Sequence, residues 1–288
     1  MSEINYWIHA VTPLHVGAGR GLGYIDMPIT REKVTTWPYI PGSSIKGVIA
    51  DHFGASDDDT RRKDRVLKAA FGTSGSDNDC AAGALVFTDA NILCMPVRSF
   101  YGTFAWVTSP FCMRRTETGN DIPELANDSA LVTENSRLKG SDGKIYLEDI
   151  DINASKNDMA GNIAKKIADS VFAGNDNGKK FFAERFAVVS DDIFTFLCES
   201  GTEVNAHIRI DSKTGIVKEG ALWYEESLPV ESILTGRVWC DKVYVKDIDK
   251  DITEEYLFES FCGKELSLQV GGKASTGKGL VRCIFGGR

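Results

Sequence analysis

The sequence predicts an α+β fold built as one elaborated domain, on three observations. Segments of period two and of helical period are both present, short, and mixed in an order that lacks the strand–helix alternation of a doubly wound parallel sheet. At 42% apolar and 26% charged residues the composition is that of an ordinary globular chain. Its 288 residues, without an internal repeat or a clean linker, suffice for one large core. No run approaches the roughly eighteen consecutive apolar residues of a membrane span, and MSEINYWIHA lacks the basic-then-apolar pattern of a leader. A soluble, unexported, cytoplasmic chain is expected.

The elements follow in order. Residues 4–12 alternate Ile4, Tyr6, Ile8 and Ala10 with polar or amphipathic neighbours, the pattern of a half-buried strand. After PGSS, Ser43 or Ser44 is placed to cap a helix whose Ile45, Val48, Ile49 and Phe53 share one face and which Gly54 ends. A second helix is expected over 60–71 and a strand over 84–95, while the glycine- and acid-rich stretch 117–143 reads as loop. Residues 161–172 are helical again, and Ser190 with Asp191 and Asp192 caps another short helix. VNAHIRID, SKTG and IVKEGALWYEE place β-branched and aromatic residues on both sides of a glycine-containing turn, which predicts a hairpin over 204–226. EEYLFESFCG is the last helix, and LSLQV and GLVRCIF are two strands joined by GGKASTGKG. Within the single domain 1–288, residues from about 99 to 185 carry no motif and are set apart as an insertion or variable region.

Charge and side-chain inventory exclude several function classes. The seven cysteines are odd in number and no two stand closer than fourteen positions, so zinc and thioredoxin spacings are absent. His9, His15, His52 and His207 are equally scattered, without the i, i+4 pair of a metalloprotease helix. The net charge of −8 argues against loose electrostatic binding of bulk nucleic acid. Charge is nevertheless segregated: residues 264–288 carry five bases against one acid. That segment is either an attractor for an anionic partner or a solvated basic edge.

Two glycine-rich loops imitate nucleotide-binding motifs and fail them. Gly272 to Lys278 fits G-x-x-x-x-G-K, but Gly279 stands where a magnesium-holding Ser or Thr is needed, and only ten residues follow Lys278. What remains is either a flexible turn or a loop whose backbone N–H groups approach a phosphodiester closely, with Lys273 and Lys278 adding charge. GAGRGLG, residues 17–23, has Leu22 where the dinucleotide fingerprint requires glycine, and Pro28 follows where its helix should run. A stand-alone nucleotide-dependent enzyme therefore has little support. This loop does carry His15 before it, Arg20 within it, and Asp26 and Arg31 after it. Asp26 is either a turn residue or the acid of a phosphate-backbone clamp. In WPYIPGSSIKGVI, Lys46 sits in the first helical turn, where the helix dipole disfavours a cation and an anionic ligand would favour one.

Taken together, TPLHVGAGRGLGYIDMPITRE, IPGSSIKG, EGALWYEESLP and GGKASTGKGLVR resemble the RAMP superfamily of CRISPR effector proteins, and within it the repeated backbone subunit of type III-B (Cmr) complexes. The similarity spans residues 12 to 282. It implies a modified ferredoxin-like, RNA-recognition-motif palm with inserted elements and a β-hairpin thumb, for which residues 204–226 are the candidate. It also implies sequence-independent binding of a CRISPR RNA guide, pairing of the guide with complementary target RNA, further copies of the chain in a filament, other Cmr subunits as partners, and no membrane.

The RNA-binding residues expected on this basis are Gly17, Gly19, Arg20, Ser43, Ser44, Lys46, Gly271, Gly272, Lys273 and Lys278. In the family a loop aspartate is needed to cut target RNA, and Asp26 in GYIDMP matches it. The expected activity is a metal-dependent endoribonuclease working only in the assembled complex, with Asp26 holding Mg²⁺ or another divalent cation. His15 is either a proton donor or a structural ring, and Glu225 or Glu226 is a second acid, although Ser227 replaces an expected aromatic beside them. The alternative is a non-catalytic RNA-binding scaffold in the same kind of complex.

Overall fold

The computed structural model describes residues 3–19, 21, 23–74, 80–116, 122–243, 251–263 and 265–286. Strand β1 (Glu3–Ala10) buries Ile4, Tyr6 and Ile8 on one face, as its alternation requires. It leads through the glycine-rich loop to α1 (Gly42–His52), α2 (Asp58–Lys63) and α3 (Arg65–Phe71), then to β2 (Leu85–Phe87) and β3 (Ala90–Arg98). The middle of the chain forms β4 (Phe104–Thr108), α4 (Pro110–Arg115), β5 (Ser129–Val132), β6 (Lys144–Leu147), β7 (Ile150–Lys156), α5 (Asp158–Val171), α6 (Asp176–Ala183), β8 (Phe186–Val188) and α7 (Asp191–Ser200). The hairpin β9 (Glu203–Ile210) and β10 (Val217–Ser227) precedes β11 (Ile233–Cys240), α8 (Glu254–Cys262), β12 (Leu266–Gln269) and β13 (Leu280–Phe285).

β13, β1, β11 and the β2/β3 pair lie side by side, each antiparallel to its neighbour, with α1 after the first strand of this unit and α8 after the third. Counted within the unit the order is fourth, first, third, second, which is the βαββαβ ferredoxin-like palm. β12 extends it beyond β13. The buried face of α1, Ile45 and Ile49, packs beside β2 and β12, and α8 contributes Leu257, Phe258 and Phe261 to the same core. No helix of the described residues is long and apolar enough to cross a membrane.

Local polar chemistry changes several expected boundaries. The helix expected over 60–71 is two helices, because the Asp64 carboxylate accepts from the backbone N–H of Val66 and Leu67 and starts a new one. The strand expected over 84–95 breaks at Thr88 and Asp89, where the Asp89 carboxylate accepts from Gly42 N at 2.8 Å. That bond draws the start of α1 so near the strand that a Cβ at Gly42 would lie 2.3 Å from the Phe87 carbonyl oxygen. Neither Ser43 nor Ser44 caps α1; Pro41 holds the N-cap position without a capping side chain, and the Asp89 carboxylate takes the first helical N–H. Within 117–143, read as loop, residues 129–132 form β5. Ser190 caps α7 as expected, its hydroxyl accepting from Ile193 N at 3.2 Å.

The stretch from about 99 to 185 extends the palm sheet: beyond β3 the order continues β4, β8, β5, β7, β6, with β4–β8 and β5–β7 parallel. α5 covers it with Ala160, Ile163, Ala164, Ile167, Ala168 and Val171, all buried at helical spacing. Fully buried Trp106 donates from Nε1 to the Glu231 carbonyl at 2.8 Å, fastening this region to the chain leaving the hairpin.

The hairpin stands as its own two-stranded sheet, in register from Glu203 opposite Ser227 to Ile208 opposite Leu222, with an irregularity before Ile210. Asp211 closes its turn by accepting from Lys213 N and Thr214 N. Val204, Ile208, Leu222 and Tyr224 share one face and are exposed; His207 and Trp223 stack on the other, 5.6 Å apart.

Candidate functional site

Three segments distant in sequence meet at the base of the hairpin. Residues 14–18 pair with 27–30 through the Gly17–Ile29 bridge and the bonds Ala18 N to Pro28 O and Thr30 N to Val16 O. Both arms also pair with the hairpin's second strand, Leu14 with Leu228 and Met27 with Glu225. The C-terminal glycine loop closes from the third side: Gly272 N donates to the His15 carbonyl at 2.9 Å and Gly279 N to the Pro13 carbonyl at 2.9 Å. Gly271, at φ 79°, lies where a Cβ would come within 2.3 Å of the His15 carbonyl oxygen, so both its backbone angle and its surroundings require glycine.

These contacts frame a cleft of about 500 Å³ lined by His15, Gly17, Gly19, Gly21, Asp26 and Met27. Asp26 is exposed on its rim, and its Oδ2 accepts from Tyr224 N at 2.8 Å. No other described group bonds the second carboxylate oxygen. His15 is 6% exposed, and its Nδ1 lies 2.6 Å from the Glu226 carbonyl oxygen. A carbonyl only accepts, so Nδ1 carries the hydrogen and Nε2 is the ring atom left for chemistry. Nε2 points past Gly17, where an added Cβ would lie 3.0 Å away. The sequence-predicted His15, Gly17, Gly19 and Asp26 thus share one cleft, with Gly271 and Gly272 behind His15. Arg20 lies outside the described residues.

The two glutamates are occupied elsewhere. Adjacent residues on a strand point to opposite faces, and Glu225 and Glu226 do so. Glu225, 2% exposed, receives Lys278 at 2.7 Å and Lys273 at 3.0 Å. Burial works to raise its pKa, but Lys278 and Lys273 together hold it below the usual carboxylate value. Glu226, 3% exposed, accepts from Arg31 at 2.6 Å, from Ile29 N at 3.0 Å and from the Thr202 hydroxyl at 3.0 Å. Neither carboxylate lines the cleft, so the structure gives both a binding role within the fold rather than a free acid. Lys273 and Lys278, expected on phosphate, are engaged by Glu225, and Lys278 also donates to Ser227 at 2.9 Å.

Lys46 has a different environment. It is half-buried on the first turns of α1 and makes no hydrogen bond or ion pair among the described residues. Burial, and then the neighbouring Arg61, lower its pKa. Such a lysine gains by meeting an anion, and the helix start with Ser43 and Ser44 is beside it. Among the described residues no group of three or more His, Cys, Asp or Glu side chains is placed to hold a metal ion. Sequence reasoning missed Tyr24, 79% exposed beside Asp26, and the Arg31–Glu226 pair that fixes the loop. An exposed aromatic in a glycine loop was a readable signal; the pair, 195 positions apart, was not.

Known proteins resemble this chain over nearly its full length. The RAMP superfamily model matches residues 7–282. The chain is 34% identical over 287 residues to the CRISPR system Cmr endoribonuclease Cmr4 of Pyrococcus furiosus, covering 96% of this chain and 92% of that protein. The crystal structure of oligomeric Cmr4 from Pyrococcus furiosus superposes with a TM-score of 0.73 at 25% identity, over 99% of this chain and 98% of that one. A chain in the cryo-EM structure of the type III-B Cmr-beta complex bound to cognate target RNA shares the fold, with a TM-score of 0.73 at 21% identity over 99% of this chain and 97% of that one.

Proposed function

The chain belongs to the RAMP superfamily, and on that premise we propose that it is the repeated backbone subunit of a type III-B CRISPR effector complex, binding the CRISPR RNA guide along its phosphate backbone and cutting complementary target RNA at regular intervals. The observation that carries the reading is the cleft that joins an exposed, backbone-anchored Asp26 to a tautomer-fixed His15 between glycine loops that leave room for a sugar–phosphate chain. Guide binding rests on Lys46 with the start of α1, and on the backbone of the two glycine loops, so it is independent of sequence. The apolar hairpin face, Val204, Ile208 and Leu222, is suited to wedge between bases and unstack a nucleotide of the duplex.

RNA carries its own nucleophile. The 2′-oxygen attacks the adjacent phosphorus, its proton leaves, and the bond from phosphorus to the 5′-oxygen breaks, giving a 2′,3′-cyclic phosphate and a 5′-hydroxyl. Asp26 is placed to align the 2′-hydroxyl and accept its proton. His15, with Nδ1 fixed as donor to the Glu226 carbonyl, serves as the acid in its imidazolium form, in which Nε2 also carries a proton and passes it to the leaving 5′-oxygen. The alternative role of Asp26 is to hold a hydrated Mg²⁺ or another divalent cation, which when bound would supply positive charge beside the phosphate, through the carboxylate oxygen that no other described residue bonds. A single carboxylate fits a cation that keeps most of its waters.

Asp26→Asn tests the assignment, since the amide keeps the acceptor for Tyr224 N and removes the charge. In the reconstituted complex, target binding should persist while cleavage falls by about 10² to 10⁴. A 2′-deoxy substitution at the cut site should block cutting without loss of binding. If Asp26→Asn cuts at the wild-type rate, the scaffold reading replaces this one.

A further inference from the structure

The cleavage cleft offers an acid, a histidine and room for a sugar–phosphate chain, but its described lining has no charge with which to grip one. His15, Gly17, Gly19, Gly21, Asp26 and Met27 include no lysine or arginine. Nearby, Arg31 is engaged by Glu226, and Lys273 and Lys278 by Glu225. The Asp26 carboxylate has the same sign as the scissile phosphate, so direct charge attraction does not hold that phosphate against it. At a position where the duplex has given up pairing and stacking, the target nucleotide is left to be held by its sugar or its base.

A surface for a base stands next to the acid. Tyr24 is 79% exposed, and no other described group bonds its hydroxyl or packs a ring against it. The turn that carries it is closed: Gly21 N donates to the Asp26 carbonyl at 3.1 Å, and a Cβ at Gly21 would lie 2.0 Å from the Ile25 carbonyl oxygen. Asp26 in turn is tied through its side chain to Tyr224 N. The ring therefore stands on a fixed turn rather than on a loose arm. A Cβ added at Gly19 or Gly23 would meet nothing within 4 Å, so the loop around the ring is open to a ligand.

The spacing suits one nucleotide. Two positions of chain span at most about 7 Å. That reach is comparable with the distance from a ribose 2′-oxygen to the far edge of its own base. A group at Asp26 that addresses the 2′-hydroxyl thus has Tyr24 within reach of the base on the same sugar.

We propose that Tyr24 stacks on the base of the target nucleotide at the 5′ side of the cut, the one whose 2′-hydroxyl Asp26 addresses. This rests on the proposed function and adds to it a base-binding residue. Stacking fixes the sugar, and with it the line of the 2′-oxygen toward phosphorus. Every base has a flat face, so any nucleotide is accepted, and a purine, with the larger face, is held better than a pyrimidine. A subunit that grips its guide without regard to sequence acquires in this way a purine bias at one position of the target. The tyrosine hydroxyl has no part in this, so phenylalanine serves equally well.

The test uses the reconstituted complex and target RNAs that carry adenine, uracil or dihydrouracil at the nucleotide 5′ of the cut. Dihydrouracil keeps the hydrogen-bonding edge of uracil and loses the flat aromatic ring. Wild type and Tyr24→Phe should cut the adenine target about tenfold faster than the dihydrouracil target in single turnover, with uracil between them. Tyr24→Leu should lose about tenfold on adenine and cut all three targets within about twofold of one another, since removing the ring and removing the flat base delete the same contact. Its binding of target should stay at the wild-type level, because the paired positions on either side are untouched. Tyr24→Leu that keeps the wild-type bias, or that slows all three targets by the same factor, overturns the stacking. Cutting that depends on Asp26 but shows no base bias in wild type overturns it too, and leaves the proposed function standing. A wild-type complex that cuts none of the three refutes the proposed function, and the base site with it.

Discussion

Replacing Lys278 by methionine should destabilise the chain far more than the same change at Lys273. Both lysines bond Glu225, but unequally: Lys278 is 11% exposed at 2.7 Å and also donates to Ser227, whereas Lys273 is 31% exposed at 3.0 Å. Removing one partner of a buried pair typically costs about 3 to 5 kcal/mol, because the other charge is left desolvated. Lys273 remains to share the Glu225 charge, so about 2 to 3 kcal/mol is expected for Lys278→Met, and below about 1 kcal/mol for Lys273→Met. In urea unfolding, the first should shift the midpoint clearly and the second barely. Adding Glu225→Gln to Lys278→Met should recover part of the loss, since the stranded charge is then absent. The acid limb carries the same logic. The Glu225 pKa is depressed in the fold, so its stabilisation is present above the ordinary value of 4.5 and is lost as pH falls through the lower folded value. Glu225→Gln should therefore flatten the stability loss below about pH 4.5. Equal midpoints for the two lysine variants, or an unchanged acid limb, would refute the buried-pair reasoning.

Two other outcomes follow from burial and charge. Lys46→Ala should weaken guide RNA about equally for every sequence and reduce the salt slope of log K by roughly one, as read by fluorescence anisotropy across a salt series. Of seven cysteines only Cys80 is exposed, and burial raises the pKa of Cys94, Cys112, Cys198, Cys262 and Cys283. A thiol reagent should therefore label one position in the native chain and all seven in urea, counted by mass spectrometry.

What the sequence revealed depended on whether one face of an element meets water. β1, α1 and the hairpin have mixed faces, and their periods could be read. β8 is buried at all three positions and β5 at three of four, so neither alternates and the region around them carried no signal. Asp64 and Asp89 broke expected elements because a carboxylate that bonds backbone N–H groups outweighs propensity. The glycines around His15 and Asp26 made legible the loop that the structure folds into one cleft. The pairing of Lys273 and Lys278 with Glu225 was not legible, because that partner stands far back in the sequence, 53 positions before Lys278. The divergence of Glu225 and Glu226 was legible in principle, since adjacent strand residues face opposite sides.

That divergence explains why the hairpin base is rigid where its tip is exposed. Glu225 ties β10 to the C-terminal loop and Glu226 ties it to Arg31 and Ile29 of the N-terminal loop, so the strand is gripped from both sides. Between the two grips the strand's own backbone supports the cleft: Tyr224 N holds Asp26 and the Glu226 carbonyl holds His15. Those two anchors are alternate residues of one strand, about 7 Å apart along it. A hairpin displaced at its base carries both anchors with it, so Asp26 and His15 keep their separation and change their position relative to the palm and any RNA bound there. Under the proposed function, placement of the hairpin against a duplex and alignment of Asp26 with His15 are in this way a single mechanical variable, set by Glu225 and Glu226.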